Sequence, residues 1–269
     1  MIQMHKLKRI LDSFLVVKRI FLFGIVVFVG VTMYQFLLEY TFVDRNLILG
    51  IVIIWFLTAY IVLPRTHRIL TTIYLPNYYI GRARTGEGLL GDPVNLAVIG
   101  SEKKLKEAML ADDWVEAEEL NFKTTIKMMK ASITRKSYPN APVSSLYLFM
   151  NKQSFTYQKE VGGSTSKRHH VRFWKTPEGW MLPGGFTCDW IGAATYDRKV
   201  GFSMFTLQIT HKIESDTDIE RDFVVESLQR GEDNAHVNVI ENFSTGYHTK
   251  NAGGDTITTD GALPFITLY

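Results

Sequence analysis

The chain opens on two long apolar runs and then changes to short alternating segments. Between Arg19 and Glu39 lie 19 residues without a charge, IFLFGIVVFVGVTMYQFLL, and between Arg45 and Arg65 another 19, NLILGIVIIWFLTAYIVLP. About 20 apolar residues at a 1.5 Å rise cross a hydrocarbon core of about 30 Å. A buried soluble helix seldom needs apolar residues on every face. The pattern therefore predicts spanning helices at about 20–41 and 46–64. The seven residues Glu39 to Arg45 join them into a transmembrane hairpin with both ends on one side. The first run lacks the short apolar core and small-residue cleavage site of a signal peptide. Ahead of it, Ile2, Leu7, Ile10, Leu11 and Phe14 recur at helical spacing among Lys6, Lys8 and Arg9. Residues 1–19 thus read as an amphipathic basic segment on the membrane surface. Residues 65–92 read as a juxtamembrane linker, with Tyr74, Tyr78 and Tyr79 at the headgroup level and Pro76 interrupting any continuing helix. TGEGLLGDP (85–93) reads as a loop.

From residue 93 the periods shorten. VNLAVIG (94–100) predicts a buried strand, and SEKKLKEAMLADD (101–113) a helix capped by Ser101, with Leu105, Ala108 and Met109 inward. A second, lysine-rich helix is expected over 121–135. Strand-like runs follow: VSSLYLFM (143–150), FTYQKEV (155–161), HHVRFWK (169–175), DWIGAATY (189–196), VGFSMF (200–205) and LQITHKI (207–213), divided by GGS, TPEG, PGG and DRK. DIERDFVVESLQR (218–230) predicts a helix facing inward through Ile219, Phe223 and Leu228, and HVNVIENF (236–243) and PFITLY (264–269) are late strands. Residues 93–269 are thus expected to form an α/β (α+β) domain with a largely antiparallel sheet.

Charge sharpens this division. Residues 1–84 hold ten Lys/Arg against three Asp/Glu, a net of +7, whereas 85–269 hold 20 against 24, a net of −4. The pI of 8.8 belongs to the N-terminal third. A nucleic-acid binder is more often basic throughout its folded domain, so that class is set aside. Lys6, Lys8, Arg9, Lys18 and Arg19 precede the first run and Arg65, Arg68, Arg82 and Arg84 follow the second, while the connecting loop carries only Arg45. The positive-inside rule then places both termini and the large domain in the cytoplasm. A lone cysteine, Cys188, excludes a disulfide scaffold and a Cys-rich zinc module, and nothing local marks it as a nucleophile.

Three constellations carry candidate chemistry. In RHHVRFW (168–174), alternation places Arg168, His170, Arg172 and Trp174 on one face and His169, Val171 and Phe173 on the other. His170 with Arg172 suits an anion or phosphate chemistry; the competing reading is a solvated or stacked surface row. In THKIESDTDIERD (210–222), His211 shares a strand face with Leu207, Ile209 and Ile213, as a core histidine would. Alternatively His211 joins Asp216, Asp218 and Asp222 around a divalent cation, although carboxylates at a helix start also cap free N–H groups. The spacing matches no specific metal motif. In the tail GYHTKNAGGDTITTDGALPF (246–265), His248, Asn251, Asp255 and Asp260 sit on turns that need no function. There is no GxSxG, GxGxxG or P-loop pattern.

GDPVNLAVIGSEKKLKEAMLADDW, PVSSLYLFMNKQSFTYQKEVGGSTSKRHHVRFW, WIGAATYDRKVGFS and THKIESDTDIERDFVVESL, with TDG at 259–261, resemble the LssY C-terminal domain family over about residues 90–268. The resemblance implies a domain carried behind a short membrane anchor. Other members are fused to modules resembling lipid-phosphate phosphatases and DedA-type proteins. The family's blocks fall on His170, Arg172, His211, Asp216, Asp218, Arg221 and Asp222. Two functions follow as expectations. In one, the chain is a membrane-anchored accessory or assembly subunit of a bacterial inner-membrane complex, its helices packing through Gly24, Gly30 and Gly50 against other membrane proteins, lipids or a second copy. In the other, it is a metal-dependent hydrolase acting on phosphorylated lipid headgroups or polyprenyl carriers. His170, Arg172 and His211 would then be catalytic, and Asp216, Asp218 and Asp222 would hold the metal.

Overall fold

The computed structural model describes residues 47–74, 81–134, 136–244 and 247–269, with scattered positions between 24 and 39. The amphipathic segment 1–19, most of the first expected span, and Pro76, Tyr78 and Tyr79 lie outside the described residues. The chain divides into two compact units, one of Met1–Pro76 with Phe205–Gln208, the other of Asn77–Met204 with Ile209–Tyr269.

In the first unit, α1 (Leu47–Leu57), a π-helical turn (Thr58–Val62) and α2 (Leu63–Tyr74) run without interruption. Among the described residues one helix, Ile48–Arg68, is long and apolar enough to cross a membrane: 21 residues with a mean hydropathy of 2.1. The π turn has a local cause. Pro64 has no N–H to offer and its ring crowds the preceding turn. The Leu63 N–H bonds to Thr58 O instead, one residue further back than in an α-helix, which leaves Ala59 O without a backbone donor. Gln208 Nε2 donates to that oxygen at 3.0 Å. Trp55 Nε1 donates to Leu207 O at 3.1 Å, so Phe205–Gln208 is stitched to the helix.

The expected linker over 65–92 is largely structured. Its start is helical through Tyr74, and β1 (Arg82–Thr85) and β2 (Leu90–Pro93) form a hairpin closed by Gly88 N donating to Thr85 O at 2.8 Å. Gly88 takes φ +87°, which suits glycine at that turn. In the second unit β3 (Leu96–Ile99) leads into α3 (Glu102–Ala111), where Ser101 accepts from Lys104 N and Leu105, Ala108 and Met109 are buried, as the periodicity predicts. Then come β4 (Val115–Glu116), α4 (Phe122–Thr134), β5 (Leu146–Leu148), β6 (Asn151–Lys152), β7 (Phe155–Val161), β8 (Ser164–Lys175), β9 (Trp190–Phe202) and β10 (Ile209–Ile213). The chain closes with α5 (Thr217–Gly231), β11 (His236–Ile240), β12 (Tyr247–Lys250), β13 (Thr256–Thr259) and β14 (Leu263–Thr267).

These elements make a mixed α+β fold rich in antiparallel pairs. The main sheet has eight strands in the order β11-β14-β3-β9-β8-β7-β4, with β10 on β9; the β14–β3 pair is parallel and the others antiparallel. A four-stranded sheet, β2-β1-β5-β6, and the pair β12-β13 complete it. Two expected strands, 189–196 and 200–205, are one. The DRK segment does not break β9 because β10 takes over as its partner, from Asp197↔Ile213 to Phe202↔Ile209.

One core packs Leu96, Val171, Phe173 and Trp190 with Leu105, Val224 and Leu228. A second packs Ala97, Trp174, Ile191 and Phe265 with Leu146, Leu148 and Cys188. The inner face of α5 differs in part from expectation. Leu228 is buried and Phe223 packs on the core as expected, but Ile219 is 64% exposed, and the helix also buries Glu220, Arg221 and Val224, because it spends part of that face on ion pairs. Where α5 meets α3 the backbones almost touch: a Cβ on Gly231 would stand 2.0 Å from Ala108 O. Gly231→Ala is therefore expected to cost about 1–3 kcal/mol, the range for overpacking a tight contact, measured as a fall in thermal midpoint of the detergent-purified chain. An unchanged midpoint contradicts this.

Candidate functional site

β8 lies between β7 and β9, in the interior of the main sheet. The expected alternation holds, but the row is not a surface row: Arg168, His170 and Arg172 are 1%, 3% and 6% exposed. Cross-strand pairing sets their neighbours. His170 stands opposite Gln158 and Thr195, Arg172 opposite Thr156, and Arg168 opposite Asp197. β2 adds Asp92 and β10 adds His211; with Arg168, His170, Arg172, Thr195 and Asp197 they line a cavity of about 490 Å³. Its remaining wall is mostly apolar, with Leu120, Met128, Pro142, Val143, Val200 and Ile213. Such a mix, a concave apolar wall with a few convergent polar groups, is typical of ligand sites.

Asp197 is the hub. Its Oδ2 lies 2.7 Å from His170 Nε2, 3.7 Å from His211 Nδ1 and 3.9 Å from Arg168 Nη2. Arg168 Nη1 donates to Gln158 Oε1 at 3.1 Å, and Arg172 Nη1 to Asp92 Oδ2 at 2.6 Å. Burial favours neutral forms and partners favour charged ones. Burial pushes His170 down to about 4 despite Asp197 beside it. Burial alone would raise the Asp197 carboxyl, but His170, His211 and Arg168 together hold it below the usual range. Asp92 is raised by burial, against the pull of Arg172. At neutral pH His170 is thus uncharged and donates through Nε2–H to the carboxylate. Its Nδ1, Arg168 Nε, Arg172 Nε and Thr156 Oγ1 are buried and have no hydrogen-bond partner among the described residues.

The structure brings His170, Arg172 and His211 together in one cavity. His211 lies against Arg168 and Asp197 rather than in a wholly apolar setting, because the β10–β9 register opposes it to the far half of β9. Asp216, Asp218 and Asp222 do not join it. Asp216 caps α5 by accepting from Asp218 N at 3.1 Å. Asp218 accepts from Thr259 Oγ1 and from Asp260 N, and Arg221 pairs with Asp218, Asp222 and, through two nitrogens, Asp260. This cluster ties α5 to the TDG turn. Among the described residues no three His, Cys, Asp or Glu side chains are grouped to hold a metal ion. The adjacent histidines point apart: His169 faces the opposite side, 2.7 Å from Glu220 and stacked on Phe223. Cys188 is buried, and burial pushes its thiol up to about 12.

Asp197 and Asp92 were missed as site residues. Continuing the two-residue period of β9 through Thr195 reaches Asp197, but the DRK segment reads as a turn. Asp92 lies in a GDP segment whose hairpin has no apolar signature.

The model of the family described as LssY C-terminus matches residues 72–263, which include every residue of the cavity. No curated protein and no solved structure matches the chain. With most of the chain covered and its hydrogen-bonded pocket inside the matched region, the protein belongs to the LssY C-terminus family.

Proposed function

We propose that the chain is a membrane-anchored phosphoester hydrolase, acting on phosphorylated lipid headgroups or polyprenyl carriers at the cytoplasmic face of a bacterial inner membrane, with both termini inside. The observation that carries this is the Asp197–His170 pair, set in one cavity with two guanidinium groups whose Nε–H donors have no partner. Arg168 and Arg172 would bind phosphate oxygens through their guanidinium groups. The Asp197–His170 pair would take the proton of the attacking water, and His211 would protonate the departing ester oxygen as the P–O bond breaks. The apolar wall would hold the hydrocarbon part of the ligand. This version relies on His, Asp and Arg and leaves Asp216, Asp218 and Asp222 with a structural task.

Phosphate release from phosphatidate or a polyprenyl diphosphate by the detergent-purified full chain tests it. His170→Asn is expected to lower turnover by about 10²–10⁴-fold, as loss of a general base does, while Asp222→Asn retains it. Release no faster than that of His170→Asn sinks the proposal. The accessory-subunit reading rests on a different observation: only 17% of the apolar helix is buried, leaving faces such as Ile48 and Phe56 for lipid or other helices. Stoichiometric membrane partners in mild-detergent purification favour that reading.

A further inference from the structure

Over residues 120–136 the domain reverses its charge. Lys123, Lys127, Lys130, Arg135 and Lys136 stand in that stretch with no Asp or Glu, although 85–269 as a whole is net acidic. The stretch is α4 with its flanks. α4 turns apolar side chains outward: Phe122 is 80% exposed and Ile126, one helical turn on, 50%. Residues four apart share a helix face, so these two form one apolar ridge beside the lysines. Lys127 is half engaged, 3.3 Å from Glu118 and over the Tyr138 ring; Lys123 and Lys130 are exposed. Leu120 and Met128, from the same stretch, line the cavity.

We infer that α4 is an in-plane docking helix for an anionic lipid surface, lying with Phe122 and Ile126 in the acyl boundary and its lysines at the headgroups. A helix with aromatic and aliphatic residues on one face and lysines beside them has the composition that binds this interface. The concentration of positive charge on an otherwise acidic domain selects an anionic bilayer. A purely protein partner for the apolar ridge would not require it. Docking sets Leu120, 45% exposed and part of the cavity wall, near lipid, while Met128 meets the cavity from the other side of the helix. The inference stands without the hydrolase reading, since it concerns where the domain rests and not what the cavity does.

The test places a thiol-reactive environment-sensitive dye at Ile126→Cys, with Val239→Cys, another exposed position, as the reference. Cys188, buried and with its thiol pushed up to about 12, stays unlabelled at neutral pH. The full chain is reconstituted in vesicles of phosphatidylcholine, with or without phosphatidylglycerol, carrying brominated acyl chains. The dye at 126 is expected to be quenched strongly in the anionic vesicles and weakly in neutral ones, and the dye at 239 weakly in both. Neutralising Lys123 and Lys130 to Gln is expected to lower the docking equilibrium roughly 25-fold, about fivefold for each lysine near an anionic surface. Equal quenching at both positions, quenching indifferent to phosphatidylglycerol, or quenching that survives the double substitution overturns the inference. The absence of quenching at 126 would identify the ridge as a contact for a protein.

Discussion

Replacing Asp197 with asparagine is expected to destabilise the folded chain by about 3–5 kcal/mol, the cost of breaking a buried ion pair by removing one partner. Asp197 lies against His170, His211 and Arg168 at once, and the Arg168 guanidinium beside it is almost fully buried. Without the carboxylate that cation keeps Gln158 and the His211 ring as partners, neither of them an anion, and its Nε remains orphaned. Chemical denaturation in detergent reads the loss. The double variant Arg168→Met/Asp197→Asn should lose less than the sum of the two single changes, because the first removes the uncompensated charge that the second creates. Additive losses would show that the two groups are not energetically coupled.

The second large effect is a dependence on pH. His170 titrates at about 4 in the folded chain, against about 6.5 when unfolded. A lowered folded value means that the unfolded chain binds the proton first. The contribution of His170 is therefore complete above pH 6.5 and is lost as pH falls toward 4, after which it changes no further. The difference of about 2.5 units corresponds to roughly 3 kcal/mol at 1.36 kcal/mol per unit. Comparing the native chain with His170→Gln isolates it, since other groups titrate in both. The gap in unfolding free energy between them should narrow, or change sign, between pH 6.5 and 4. A gap that stays constant across this window would mean that His170 is accessible to solvent protons in the fold. If His170 acts as a base, catalytic rate should likewise hold down to about pH 5, well below the range where an ordinary histidine becomes protonated.

Local signals served the fold well where one residue type decides. Ser101 before an amphipathic run marks the start of α3, and the polar alternation through Arg168, His170 and Arg172 finds the site face of β8. They failed where a partner distant in sequence decides. Whether that face meets water depends on β1 and β2, which come from a stretch with no strand pattern, and on β10, whose pairing carries β9 through its apparent break. Asp216, Asp218 and Asp222 share one neighbourhood as their spacing implies, but Arg221 and the backbone of Asp260 occupy Asp218 and Asp222, and Asp216 is spent on the helix cap. Nothing in their own segment reveals the TDG turn, 40 residues later, that the cluster serves.

The parallel pairing of β14 with β3 has a consequence for how the chain folds. β3 is an interior strand, held by β9 on one edge and by β14 on the other, with Phe265 opposite Ala97. Phe265 and Ala97 are 168 residues apart (265 − 97), and contacts between such distant segments form late. During synthesis β3 therefore stands with one edge unpaired until residues 263–267 have left the ribosome. An unpaired strand edge is a template for wrong partners. Truncating the chain before Leu263 should leave that edge permanently open and divert the product into aggregates, even though every residue lining the cavity would still be present.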